Sequence, residues 1–299
     1  MHLIPKLIIV SLALFVANTS VAQETADDAE QLKIAALEAL ISAPPERALP
    51  IVEKVMAGDH SNEVKSRALF ILSQIDLAEA QTILLTTASS QSGELQLEAI
   101  RMIGIGGDPE SLTALRGIYD AGDLDVKESV LQAYLIADDS ASVFEIAANA
   151  VDDDEFEQAV HMLGVMGASE ELAKLRDRDG STESLIHAYA ISGDYESLRV
   201  LATDSSDPEQ QMQAIHGLSI VGGEQVGTTL MEIYRGTDNE EVKESAVHSM
   251  MIADYDEGVL ELYRASQDAN EKRDLLQLLV VMDSEAALQI IDETLGGGL

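Results

Sequence analysis

Residues 215–222 read Ile215-His-Gly-Leu-Ser-Ile-Val-Gly222, and this eight-residue phrase returns along most of the 299-residue chain. Its pattern is an aliphatic residue, a variable one, a small or apolar one, a large apolar one, then a run ending in Gly or Asp. Upstream it reads Leu69-Phe-Ile-Leu-Ser-Gln-Ile-Asp76, Ile100-Arg-Met-Ile-Gly-Ile-Gly-Gly107 and Leu131-Gln-Ala-Tyr-Leu-Ile-Ala-Asp138. Val160-His-Met-Leu-Gly-Val-Met-Gly167 and Ile186-His-Ala-Tyr-Ala-Ile-Ser-Gly193 follow. Downstream come Val247-His-Ser-Met-Met-Ile-Ala-Asp254 and Leu276-Gln-Leu-Leu-Val-Val-Met-Asp283. A degenerate first copy, Leu37-Glu-Ala-Leu-Ile-Ser-Ala-Pro44, precedes them all. Starts at 37, 69, 100, 131, 160, 186, 215, 247 and 276 step by 26 to 32 residues. A period of about 30 residues is the signature of an array.

Each period holds two amphipathic stretches. In 238–267, Val242, Ala246, Met250 and Ala253 recur on one helical face, and Val259, Leu262 and Tyr263 mark a second, shorter one. Asp108-Pro-Glu110, Asp207-Pro-Glu209 and Ser284-Glu285 stand where helices start, accepting orphan N–H bonds and complementing the helix dipole. Asp152-Asp-Asp-Glu155 occupies the same position, so it reads as a cap and first turn rather than a metal site. No useful run of polar–apolar alternation occurs, so no sheet is expected. One short helical hairpin cannot bury its apolar stripe alone, but stacked neighbours can. The expected fold is therefore all-α: an α-solenoid superhelix of about nine hairpins over residues 31–295. Its end helices fall near Leu32–Ile41 and Ser284–Leu295, and a Gly-rich tail covers 296–299.

The first residues follow another logic. Met1–Lys6 is weakly basic, Leu7–Ala17 is apolar, and Ser20-Val-Ala22 supplies small residues before Gln23. That is the layout of a signal peptide over 1–22, with an apolar run too short to span a bilayer comfortably. Residues 23–30 read as a short linker. The expectation is an exported chain, periplasmic or secreted, with no membrane span once cleaved. With no cysteine, such a chain holds together by burial, without disulfides. Its 46% hydrophobic content suffices, and with 4% aromatics the filling is aliphatic.

Lys and Arg number 18 against 54 Asp and Glu, for a formal charge of −36. Such a field repels phosphate backbones, so no nucleic-acid partner is expected, and it favours a partner protein with a basic segment. It serves solubility equally well.

Val64-Lys-Ser-Arg-Ala68-Leu69, Val126-Lys-Glu-Ser-Val130-Leu131 and Val242-Lys-Glu-Ser-Ala246-Val247 resemble the "V-R-x-x-A-A" helix of HEAT-like repeats. Met102-Ile-Gly-Ile-Gly-Gly-Asp108 echoes the "A-L-G-x-x-G-D" that follows it. The short bacterial, phycobilisome-lyase-type repeats are the nearest pattern. The resemblance covers nearly everything after about residue 30 and implies architecture more than activity. Lys stands for the usual Arg, and Glu155, Ser181, Gln210 and Glu271 take the Val position, with Phe156 a candidate substitute.

Catalytic motifs are missing: there is no His-Glu-x-x-His, no Gly-x-Ser-x-Gly, no P-loop and no His-Glu dipeptide. Gly104, Gly106 and Gly107 end a helix and follow no strand, so they read as a turn and not a dinucleotide loop. No catalytic residue, cofactor or metal is assigned. One column breaks the pattern. His161, His187, His216 and His248 share the second position of the phrase in consecutive copies, with Arg101 and Gln132 earlier in line. In the resembled repeats this position faces solvent on the inner, concave surface. A tolerant surface slot, a partner-binding stripe and a metal or pH ladder are all open readings. The helix spacing of ~9–10 Å disfavours a shared metal.

The expected function is an exported, monomeric scaffold or adaptor that grips another protein through Arg101, Gln132, His161, His187, His216 and His248. A lyase- or hydrolase-type enzyme using the histidine column and a self-assembling envelope protein are the alternatives.

Overall fold

The computed structural model describes residues 28–296, apart from residues 177 and 179 and the side chain of Glu224. The expected signal peptide, residues 23–27 and residues 297–299 lie outside the described residues. Helix α1 covers residues 28–38 and runs into a 3-10 turn, Ala39–Ser42. Residues 28–30, read above as linker, are thus already helical, because Ala29 and Glu30 continue the helix-favouring run that leads to Leu37.

The first of two compact units ends at Asp139. It continues with α2 (Pro45–Ala57), α3 (Asn62–Ser73), α4 (Ala78–Ser90), α5 (Glu94–Gly106), α6 (Pro109–Ala121) and α7 (Leu124–Ala137). The second, from Ser140, holds α8 (Ser140–Asn149), α9 (Asp153–Val165), α10 (Ser169–Lys174), α11 (Thr182–Ser192), α12 (Tyr195–Asp204) and α13 (Pro208–Val221). It ends with α14 (Glu224–Gly236), α15 (Glu240–Ile252), α16 (Asp256–Ala265), α17 (Ala269–Val281) and α18 (Glu285–Leu295). No strand occurs among the described residues. The fold is an all-α repeat.

Starts and stops are written in side chains. Asp108, Asp123, Asp152, Asp194, Asp207, Asn239 and Asp268 each accept a first-turn backbone N–H, satisfying donors that the helix itself cannot. Asp152 takes the N–H of Glu155 at 2.8 Å, which makes the Asp152–Glu155 run a cap and first turn. From the third copy on, the last residue of the phrase stops the helix. Gly107, Asp138, Gly167, Gly193, Gly222, Asp254 and Asp283 all have φ between 55° and 72°. Only Gly enters that region freely, and Asp is among the few residues that visit it. The Gly-or-Asp ending is therefore a backbone requirement.

Phrase helices pack directly on their successors: α3 on α5 and α5 on α7 in the first unit, and α9, α11, α13 and α15 in turn in the second. The first and fourth positions supply the core. Ile100, Ile103, Val160, Leu163, Ile215 and Leu218 are all fully buried. The fifth position of one copy meets the third of the next, and small residues there let backbones approach. A methyl on Gly164 would lie 2.9 Å from the Cα of Ala188, and one on Gly217 would lie 3.6 Å from the Cβ of Ala190.

The shortest period, 160 to 186, has a cut-down second helix, α10, of six residues. Two arginines replace the missing turns. Arg178 donates to the carbonyls of Ala147 (3.0 Å) and Ala150 (3.2 Å) at the end of α8, with its guanidinium 4.2 Å from the Phe156 ring centroid. Arg176 donates to the Tyr189 hydroxyl at 3.0 Å. Phe156 is buried, as expected of a Val substitute, and Ser181 is buried with its hydroxyl donating to the Arg178 carbonyl at 2.7 Å.

Candidate partner-binding face

The second position of the phrase points away from the core because its neighbours on either side point in. Ile186 and Ala188 are buried and His187 between them is exposed; His216 is exposed between buried Ile215 and Gly217, and His161 and His248 are exposed with one neighbour buried and the other half-buried. These four histidines sit on α9, α11, α13 and α15, which pack side by side. The structure brings His161 and His187 together: their rings stack with centroids 6.0 Å apart and planes 20° apart. That is closer than helix axes approach, since both side chains lean across the gap. Stacked rings aim their nitrogen lone pairs outward rather than at a common point. Among the described residues no three His, Asp or Glu side chains are grouped to hold a metal ion.

Arg101 and Gln132 are likewise exposed on α5 and α7, in the first unit, and each is engaged by its own helix. Arg101 makes two hydrogen bonds to Glu98, at 2.9 and 2.7 Å, which hold its guanidinium above the ordinary arginine value. The Gln132 amide donates to Glu128 at 3.1 Å.

Sequence reasoning missed a second row. The sixth position of the phrase is β-branched in seven consecutive copies and looks like core. In the structure it is not buried: Val165, Ile191, Ile220 and Ile252 are 47%, 40%, 57% and 42% exposed. Each lies four residues beyond a histidine, one turn along the same face. Four residues before the histidines stand Glu157, Glu183, Met212 and Glu244. The three glutamates are exposed and have no ion pair or hydrogen bond among the described residues. Three rows thus cross α9–α15: carboxylates, imidazoles and aliphatics. The signal was available, because a buried helix face cannot hold residues i, i+1 and i+5 together.

Residues 55–135, within the first unit, match the family model described as HEAT repeats. Residues 55–135 are HEAT-like repeats. The recurring helix pair and the small-residue contacts described above continue the same all-α repeat beyond the matched residues. No curated protein matches the chain. Among solved structures it is similar to human deoxyhypusine hydroxylase in complex with glycerol, at 14% identity and a TM-score of 0.34, covering 77% of this chain and 99% of that one. It is also similar to the complex of CpcE and CpcF of phycocyanin lyase from Nostoc sp. PCC7120, at 14% identity and a TM-score of 0.30, covering 84% of this chain and 93% of that one. Among the described residues no helix is long and apolar enough to cross a membrane.

Proposed function

We propose that this HEAT-like protein is an exported scaffold that binds another protein along the face formed by α9, α11, α13 and α15. The observation that carries the reading is the in-register exposure of one imidazole and one β-branched side chain, a turn apart, on four successive helices. Scattered single hydrophobics on a surface are ordinary, whereas an aligned row flanked by polar residues marks an interaction site. A repeat array suits this role, because a preformed surface offers many modest contacts without an ordering cost to the scaffold. The formal charge of −36 favours a partner with a basic segment, drawn in by long-range attraction. Arg101 and Gln132 present a similar pair of positions in the first unit, next to exposed Ile105 and Ile136.

The reading assigns no chemistry to the histidines; they are contact groups. Affinity capture from the extracytoplasmic fraction of the source cells tests it, comparing the native chain with His187→Ala/His216→Ala. A protein retained by the native chain and lost with the double variant supports the face. Equal retention by both places the binding surface elsewhere.

A further inference from the structure

Resting on the protein-binding reading above, the three rows also say what kind of chain covers this face. The aliphatic row offers Val165, Ile191, Ile220 and Ile252 to a dry contact. The opposite edge offers the Glu157, Glu183 and Glu244 carboxylates, about two helical turns away on the same helices. These three differ from Glu98, Glu196 and Glu240, which are neutralised by Arg101, Arg199 and Lys243 on their own helices. The carboxylates beside the imidazole row are thus left, among the described residues, without a cation of their own. On α13 the same slot holds Met212, half-buried and uncharged.

We infer that the occupant is a two-edged basic segment of the partner, lying crosswise over α9, α11, α13 and α15. Its apolar residues rest on the Val165–Ile252 row and its lysines or arginines on the glutamate edge. Charge complementarity selects it. An acidic or neutral apolar segment leaves the three carboxylates at the opposite edge without a cationic partner, and a uniformly basic segment leaves the aliphatic row wet. The Met212 interruption adds a detail. Cationic residues are wanted over α9, α11 and α15, and an apolar one over α13. The imidazoles form the floor between the edges, where the stacked His161–His187 pair offers flat surface and N–H donors or acceptors.

Labelled peptides of 15 residues provide the probe: one alternating Lys with Val, one with Glu for Lys, one with Ser for Val. Fluorescence anisotropy against the chain lacking residues 1–22 is read for four proteins. They are native, Glu157→Gln/Glu183→Gln, Ile191→Ser/Ile220→Ser, and a control, Glu232→Gln/Glu257→Gln, with exposed acids outside the three rows. All substitutions are at exposed positions, and circular dichroism checks that the helices persist. The Lys/Val peptide should bind best, and each of the first two doubles should weaken it about tenfold, as loss of interfacial charge or apolar contact does, with the control within about twofold. An equal loss in the control overturns the inference, since the general acidic field would then explain binding. So does indifference to Ile191→Ser/Ile220→Ser. A natural partner lost with His187→Ala/His216→Ala yet retained by both face doubles leaves the scaffold reading standing and removes this one. Two-edged peptide binding without any partner that depends on His187 and His216 does the reverse.

Discussion

Gly104 on α5 faces Ala133 on α7 with no room for a methyl group: a Cβ on Gly104 would stand 2.6 Å from the Ala133 carbonyl oxygen and 2.7 Å from its Cα. The obstacle is backbone, which cannot swing aside as a flexible side chain does. In a helix interior Ala is favoured over Gly by ~1 kcal/mol. Forcing extra volume into a packed contact costs ~1–3 kcal/mol. Gly104→Ala should therefore destabilise the chain, by about 1 kcal/mol net. Gly117→Ala on α6, where a Cβ meets nothing within 4 Å, should stabilise it. Urea unfolding of the two variants checks the opposite signs.

Asp138 stops α7 at φ 57°, a region that costs an L-residue with a side chain ~1–2 kcal/mol. Asp138→Gly relieves that cost and should raise stability by up to about 1 kcal/mol, the gain being offset by a more flexible unfolded chain. Asp138→Val should lower it. Thermal melts of both against the native chain give the answer.

Arg178 joins the end of α8 to Phe156 across the shortest period. Arg178→Ala leaves two carbonyls without their charged donor and uncovers an aromatic face, for a loss of about 2 kcal/mol. Lysine lacks the planar fork and should recover little. Hydrogen exchange should speed up at amides in the last turn of α8 while those in α3 and α5 stay protected. Uniform loosening would contradict the local role.

Asp268 caps α17, accepting the N–H groups of Glu271 and Asn270, and these bonds hold its carboxyl below the usual range. A depressed carboxylate contributes stability above its unfolded value, near 3.9, and loses that contribution as pH falls through the lower folded value. Asp268→Asn keeps a cap but not the charge. The native chain should be the more stable of the two at pH 6. The gap should close below about pH 4, as read by denaturant midpoints across the range. A gap that widens in acid has the wrong sign for this cap.

Much of the architecture was legible because the phrase records backbone needs as well as burial. From the third copy on, the Gly or Asp at its end is the positive-φ stop, an Asp such as Asp108 or Asp207 before the next helix is its cap, and Leu163 or Leu218 at its fourth position is core. Less could be read of the candidate face. The histidine column showed itself because His breaks an aliphatic pattern. Ile191 and Ile220 did not, because an exposed β-branched residue looks the same in sequence as a buried one. Gly104 looked like part of a turn with Gly106 and Gly107, yet it lies inside α5 against Ala133. Contacts between copies leave no local trace at one residue. Nor could spacing foretell that Arg178 would bridge 31 residues back to Ala147.

The positive-φ stop that closes the phrase from the third copy on also fixes rotational phase. A helix turns about 100° per residue, so one residue inserted in α11 ahead of His187 swings that imidazole off the shared face and drives a neighbour's polar atoms toward the interior. Because Gly193 resets the chain before α12, the fault stays within one rung. Insertion of a whole hairpin disturbs no phase at all and only lengthens the track. Such a protein can change the reach of its surface by duplication while being intolerant of frame-keeping single insertions, a pattern of permitted and forbidden indels set by backbone geometry.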